Sequence, residues 1–381
     1  MKPKIFELST IDLTLYKFVL PLMKELKGRG FDVLCGARNC GYLDKIEKEG
    51  FKAYDVALSR SLNPVALFRS LFQLIRILKK EKVGILHVHT PIASFIGRLA
   101  AFFAKVDIKV YTVHGFILKP RIFYYAEKFM ARTLTDYLFT VNQEDLELAI
   151  ECKFIPADKA LNINSVGIDA EHFYPGRVDE NAKEQLRESL NIRKDVPVIG
   201  YVGRIVKPKG VMDLVNAFVE IRKETDCRLL LVGPLDFDER AGDIIIDEIR
   251  RVIQENRLEQ DVILTGHRED IAELLSIMDI FVLPSYREGM PVSLLEAMAM
   301  EKAVIGTNIR GTKEEITAET GLIYEARDVS GLKKHLEFYL SNPEKAALMG
   351  KNARQRVLKE FDINRVVEKQ VKVFLELFYD D

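Results

Sequence analysis

Cysteine is scarce in this chain and unpaired in pattern: Cys35, Cys40, Cys152 and Cys227 are scattered, with no C-x-x-C spacing. Neither a disulfide framework nor a cysteine-ligated zinc site is expected, and a reducing cytoplasm fits. Neither sign of charge is in excess. With 56 basic and 57 acidic side chains the net charge is −1, so the global balance does not point to nucleic acid. Long apolar runs are missing too, none reaching the ~20 residues of a bilayer span. The start, Met1-Lys2-Pro3-Lys4-Ile5, leads into an apolar segment broken by Glu7 and Asp12, unlike a secretory signal. A protein that neither spans a membrane nor is exported is the expectation. Tandem repeats and low-complexity tracts are also lacking, which excludes solenoids and disordered linkers.

At 381 residues the chain exceeds one typical core of roughly 100 to 200 residues, so two domains are expected. Short apolar runs alternate with longer helical patterns. Lys4–Leu8, Asp32–Cys35, Ile85–Val88, Ile108–Val113 and Tyr137–Val141 read as strands of one βα half. Val198–Val202, Arg228–Val232, Val262–Thr265, Ile280–Leu283 and Ala303–Gly306 read as strands of a second. This predicts an α/β fold of two doubly wound domains. Phe173-Tyr174-Pro175-Gly176-Arg177, before the charged run Asp179–Ser189, marks the linker, with the hinge near Gly176. The expected division is residues 1–175, residues 176–362, and a last helix over 363–381 that crosses back to the first domain.

Chemistry concentrates in the second half. In Leu283–Ala297 two carboxylates, Glu288 and Glu296, flank a seven-residue spacer at a strand-to-helix joint. Gly289 permits the turn, and Pro291 suits the first helical position. Free backbone N–H groups at such a helix start favour a phosphate. Earlier, the strand Val198–Val202 runs into Gly203-Arg204-Ile205-Val206-Lys207-Pro208-Lys209-Gly210, placing a guanidinium and an ammonium at the carboxyl edge of a parallel sheet. Arg204 offers a planar fork to a diphosphate and Lys209 a mobile charge. Gly200-Tyr201-Val202-Gly203 lacks the third glycine of a dinucleotide fingerprint.

Taken in order, Gly200–Ile205 with Lys209-Gly210, the Ser165–Pro175 run, Leu283–Glu296 and Arg310-Gly311-Thr312 closely resemble the retaining GT-B glycosyltransferases of the E-x7-E group (family 4 type). The likeness covers nearly the whole chain and is closest to bacterial enzymes of capsule, exopolysaccharide and lipid-linked glycan assembly. It implies two Rossmann-like domains facing across a cleft, no cofactor and no metal. By position, Glu288 meets the donor sugar, Glu296 the ribose, and Arg204 and Lys209 the diphosphate. Gly203 and the loop Gly289-Met290-Pro291-Val292 complete the donor site. His114, after Ile108–Val113, falls at the cleft beside the donor sugar and is the catalytic candidate of the first half. The implied reaction moves a hexose or N-acetylhexosamine from a nucleoside diphosphate sugar, preferably UDP-linked, to a glycan or polyprenyl-diphosphate-linked saccharide. Same-face attack then needs no protein nucleophile.

Other features bear on the acceptor. Arg60, in Ser59–Pro64, and His89 are acceptor candidates. Relatives often carry Gly-Gly after the first strand, whereas here Ser9-Thr10-Ile11-Asp12-Leu13-Thr14 stands without glycine, leaving Ser9, Thr10 or Asp12 for donor contacts. His87-Val88-His89 directs two rings to one face; a structural role outweighs a metal pair, because no third ligand is apparent in the sequence. The patterns Pro64–Lys80 and Arg121–Leu134 carry apolar stripes beside cations. Core burial and docking on the inner face of an anionic membrane write the same pattern. Asp236-Phe237-Asp238 looks like a D-x-D metal box, but its distance from the glutamate motif makes it a loop. Two rival readings are a UDP-sugar 2-epimerase of the same architecture and a non-catalytic nucleotide-sugar sensor.

Overall fold

The structure, a computed structural model, describes residues 2–59, 64–116, 120–235 and 245–379. Within them the chain forms two compact units: Met1–Gly167 with Ile363–Asp381, and Ile168–Asp362.

Among the described residues the first unit carries a parallel sheet of β1 (Lys4–Ile11), β2 (Asp32–Arg38), β3 (Lys52–Asp55), β4 (Ile85–His89), β5 (Ile108–Val113), β6 (Tyr137–Thr140) and β7 (Ala160–Asn162), in the order β3-β2-β1-β4-β5-β6-β7. The second sheet holds β8 (Val198–Val202), β9 (Arg228–Val232), β10 (Val262–Gly266), β11 (Ile280–Leu283), β12 (Ala303–Thr307) and β13 (Gly321–Tyr324), in the order β10-β9-β8-β11-β12-β13. The central strands β4, β8, β11 and β12 are buried along their whole length. Helices on both faces of each parallel sheet account for these unbroken apolar runs. Each strand order reverses direction at one place, between β1 and β4 and between β8 and β11. At such a reversal the loops leaving the carboxyl ends diverge and open a crevice for a ligand.

Three expectations are corrected. The break falls at Gly167 and Ile168 rather than near Gly176. Phe173 packs on the core of the second unit, its carbonyl accepts from Arg354 Nη1 at 2.9 Å, and Arg177 pairs with Glu273 at 3.4 Å, so this Pro-Gly segment is held by the second unit. Pro291 is the extended residue preceding the helix Val292–Ala299, not its first member. The pattern Pro343–Glu360 is helical as far as Arg356 and then widens into a π-turn, Val357–Phe361. The last helix, Ile363–Tyr379, belongs to the first unit, where it packs on the helix Leu20–Gly28 and sets Phe374 against His87 and Phe139.

Candidate functional site

In the second unit the basic loop after β8 and the glutamate loop after β11 leave neighbouring strands at the reversal point. Local backbone chemistry locks them together. Lys207–Lys209 makes a 3₁₀ turn that ends at Gly210, whose φ of +64° suits glycine and whose Cβ position would overlap the Pro284 carbonyl oxygen. Tyr286 N–H donates to the Pro208 carbonyl at 2.9 Å. The two loops therefore approach backbone to backbone, as a larger residue at position 210 would forbid.

This approach sets Lys209 Nζ 2.7 Å from Glu288 Oε1, and the same oxygen accepts from Ser285 Oγ at 2.6 Å. Thr307, ending β12, donates to the Ser285 carbonyl at 2.6 Å and steadies the turn from the next strand. Arg204 is positioned through its carbonyl, which accepts from the buried Tyr201 hydroxyl at 2.8 Å. Burial first, and the Glu288 charge second, push that phenol far above its usual range, keeping it a neutral donor. Gly311, at φ +80°, lies against the Gly289 carbonyl, where a Cβ would overlap it. The Arg310-Gly311-Thr312 motif thus buttresses the glutamate turn. Met290 and Val292 pack on the core, and Glu296 lies half-buried in the second turn of its helix.

Sequence reasoning missed two supports. Tyr286 donates to Asp213 Oδ2 at 2.9 Å and stacks under the Arg327 guanidinium, 4.2 Å from the ring centre. Glu315 is wholly buried with neither carboxyl oxygen hydrogen-bonded, and burial, then the charges of Glu288 and Glu314, push its pKa well above the usual carboxylate range. Nothing in its local sequence distinguishes it from a solvated helix glutamate.

In the first unit the carboxyl ends of β1, β4 and β5 gather a polar cluster. Glu7, His87 and His89 are buried. Glu7 Oε1 is hydrogen-bonded to His87 Nδ1 at 3.2 Å and Glu7 Oε2 to His89 Nε2 at 2.9 Å, while His87 Nε2 lies 2.7 Å from Thr112 Oγ1. The strand register, Glu7 beside His87, makes the triad. This supplies the third group that the His-x-His pattern lacked, and the three ligand-type atoms lie within 4.8 Å of one another. The hydrogen bonds among them account for those atoms without an ion. The detectable signal was Glu7 itself, a carboxylate inside an apolar strand, which demands a partner.

His89 is corrected as an acceptor contact: it is buried and its Nε2 is committed to Glu7. Its ring stands 5.7 Å from that of His114. His114 follows β5, with its Nε2 buried and unpartnered. Burial and the neighbouring imidazoles of His89 and His87 push its pKa down to about 3, so it is neutral. Asp12 is also corrected, since Oδ2 accepts the backbone N–H groups of Cys40 and Tyr42, both at 2.8 Å, and of Leu43. It ties a loop rather than facing a ligand. Thr10 bonds Thr90, and Ser9 is buried. Arg60 and Asp236-Phe237-Asp238 lie outside the described residues.

These features define a class: two parallel α/β units, each with a reversal point, make a protein of GT-B fold. The Anabaena protein HepE, solved in complex with UDP, aligns with a TM-score of 0.82 over 98% of this chain and 100% of its own, at 20% identity. The chain belongs to the family 4 type glycosyltransferases. The family model "Glycosyl transferase 4-like" matches residues 9–142, and "Glycosyl transferases group 1" matches residues 182–356. Among relatives, the N,N'-diacetylbacillosaminyl-diphospho-undecaprenol alpha-1,3-N-acetylgalactosaminyltransferase of Campylobacter jejuni is 28% identical, over 96% of this chain and 97% of its own. The UDP-Gal:alpha-D-GlcNAc-diphosphoundecaprenol alpha-1,3-galactosyltransferase of Escherichia coli is 27% identical, over 92% and 91%.

Proposed function

We propose that the chain is a retaining, metal-independent glycosyltransferase that moves a hexose or N-acetylhexosamine from a UDP-sugar to a polyprenyl-diphosphate-linked saccharide in cell-surface polysaccharide assembly. The observation that carries this is the Lys209–Glu288 contact at the reversal point of the second sheet. It keeps a cation for a diphosphate beside a carboxylate for sugar hydroxyls. As the bond from the anomeric carbon to the diphosphate breaks, negative charge grows on the leaving UDP, and Arg204, Lys209 and the backbone N–H groups of Gly289, Met290 and Val292 stabilise it. Glu288 orients the sugar and Glu296 the ribose. The acceptor oxygen bonds to the anomeric carbon from the same face, giving its proton to a departing phosphate oxygen. The α-linkages in both relatives' names support retention from an α-linked donor. From the first unit, His114 is the ring assigned to this reaction.

The exposed face of the first unit supports a membrane-borne acceptor. Among the described residues no helix is long and apolar enough to cross a bilayer. Leu67, Leu71, Ile75 and Leu78 of the helix Pro64–Glu81 face the core. A second set does not: Phe68 is 61% and Phe72 58% exposed, and Ile122 and Phe129 of the helix Arg121–Leu134 are 69% and 64% exposed. Both helices pack on the helix Pro91–Ala104 between them. Arg69, Arg76, Lys128 and Arg132 lie among these side chains in sequence, a composition matched to anionic headgroups.

Calorimetry with UDP-, GDP- and ADP-sugars tests the donor: a UDP-sugar binds, and silence with all three would remove the proposal. The anomeric configuration of the product, read by NMR, tests retention. Turnover surviving EDTA tests metal independence.

A further inference from the structure

The joint between β4 and the helix Pro91–Ala104 holds a residue in a conformation that its type does not favour. Thr90 has φ +65° and ψ +146°, a combination that glycine adopts readily and a β-branched residue does not. Pro91 accounts for half of it, since a residue before proline is pushed to a ψ of about 120 to 160°. Nothing in that preference calls for a positive φ.

Side-chain bonds hold Thr90 there. Its Oγ1 accepts the Thr10 N–H at 3.1 Å, lies 2.7 Å from Thr10 Oγ1, and donates to the His89 carbonyl. A carbonyl only accepts, so the Thr90 proton is committed to it and the Thr10 hydroxyl is the donor of the pair. One proton and both lone pairs of Thr90 Oγ1 are then in use. The hydroxyl is also lost as a cap. Thr90 is the N-cap residue and its carbonyl accepts the Ser94 N–H at 2.9 Å, yet its side chain caps no amide of the helix.

These bonds join the two strands at the reversal point of the first sheet. Backbone pairing of β1 with β4 runs from Ile5 opposite Ile85 to Leu8 opposite Val88, and β1 shifts its register against β2 between Leu8 and Ile11. Two residues beyond the last backbone pair, Thr10 and Thr90 continue the connection through side chains. A strained backbone and an uncapped helix start both destabilise, and each follows from turning this one hydroxyl toward β1.

We propose that Thr90 is a positioning residue for the acceptor: by tying β4 to Thr10 it sets the separation of the two strand ends at which the crevice of the first unit opens. The assigned donor groups Arg204, Lys209, Glu288 and Glu296 all belong to the second unit, so the crevice of the first serves the other substrate. That assignment rests on the proposed function; the strain at Thr90 does not.

The experiment compares the full chain with Thr90→Ser, Thr90→Ala and Thr90→Gly. Serine keeps the hydroxyl, alanine removes it and keeps the strain, and glycine removes both. In thermal melts Thr90→Gly therefore unfolds at a higher temperature than Thr90→Ala, the reverse of their order at ordinary backbone angles. Kinetics use a UDP-sugar and a polyprenyl-diphosphate-linked N-acetylglucosamine. Thr90→Ala and Thr90→Gly both raise the acceptor KM about tenfold and shift the donor KM less than about twofold, whereas Thr90→Ser stays near the unaltered protein. Activity thus follows the hydroxyl while the Gly–Ala difference in stability follows the strain, a separation that a purely structural role would not produce. Failure of Thr90→Ala to fold where Thr90→Gly folds is the same result in stronger form, and Thr90→Gly then carries the kinetics. The proposal is overturned if glycine melts no higher than alanine, if Thr90→Gly keeps the unaltered acceptor KM, or if Thr90→Ser raises it as glycine does. No turnover by the unaltered protein with this acceptor is a failure of the proposed function and leaves the melts to decide the strain alone.

Discussion

At residue scale the candidate donor site depends on two kinds of position. Glu288 offers charge, and Glu288→Gln is expected to lower turnover roughly 100-fold while nucleotide affinity by calorimetry stays within a few-fold, because the lost carboxylate acts on the sugar. Unimpaired turnover would refute that role. Gly210 offers the absence of a side chain. Gly210→Ala meets both left-handed backbone strain and the Pro284 carbonyl, so a loss of about 2 kcal/mol in denaturant melts and weaker nucleotide binding are expected. The positions Glu288, Lys209 and Gly210 were legible because each lies in a short motif. Glu7 was not, since its meaning depends on which residue of β4 lies beside it in the sheet. Glu315 was hidden for the same reason, its burial being set by distant elements.

At element scale the interior strands and one edge strand, β10, were legible and the other edges were not. β3, β7 and β13, absent from the sequence reading, are all edge strands. The sequences of β3 and β7, Lys52-Ala53-Tyr54-Asp55 and Ala160-Leu161-Asn162, are short and incompletely buried, and lack the apolar run that marks a covered strand. The helix Arg121–Leu134 was legible, but not what joins it to the helix Pro91–Ala104. Arg98, wholly buried, grips Glu127 through two bonds of 2.9 and 2.8 Å and lies 4.6 Å from the Tyr111 ring centre. Glu127→Ala strands that guanidinium and should cost about 3 kcal/mol in chemical denaturation; a change within error would show the pair to be dispensable. The exposed aromatics of the helix Pro64–Glu81 make a different claim. The full chain should sediment with anionic vesicles far more than with neutral ones, and Phe68→Ser with Phe72→Ser should abolish most of that binding. Equal sedimentation with both vesicle types would count against docking by charge and aromatic insertion.

At the scale of the molecule, acid sensitivity follows from imidazoles held neutral. The ordinary pKa of His89 is 6.5 and its folded value about 4, so between these pH values the unfolded chain binds a proton that the folded chain does not. Stability is then complete above about 6.5 and falls as pH drops toward 4, by at most about 1.4 kcal/mol per pH unit from this ring. Thermal melts from pH 7 to pH 4.5 should show that decline, with a shallower slope in His89→Phe. Equal slopes would mean that His89 keeps its proton on folding.

The first unit is assembled from both sides of the second in sequence, for Ile363–Asp381 completes what Met1–Gly167 begins. On the ribosome, the amino-terminal sheet must wait, with the Phe139 and His87 side chains uncovered, until all of Ile168–Asp362 has been translated and the closing helix follows. The segment made later can therefore finish folding earlier. A premature stop just after Asp362 would leave the nascent amino-terminal half in need of chaperones while sparing its successor.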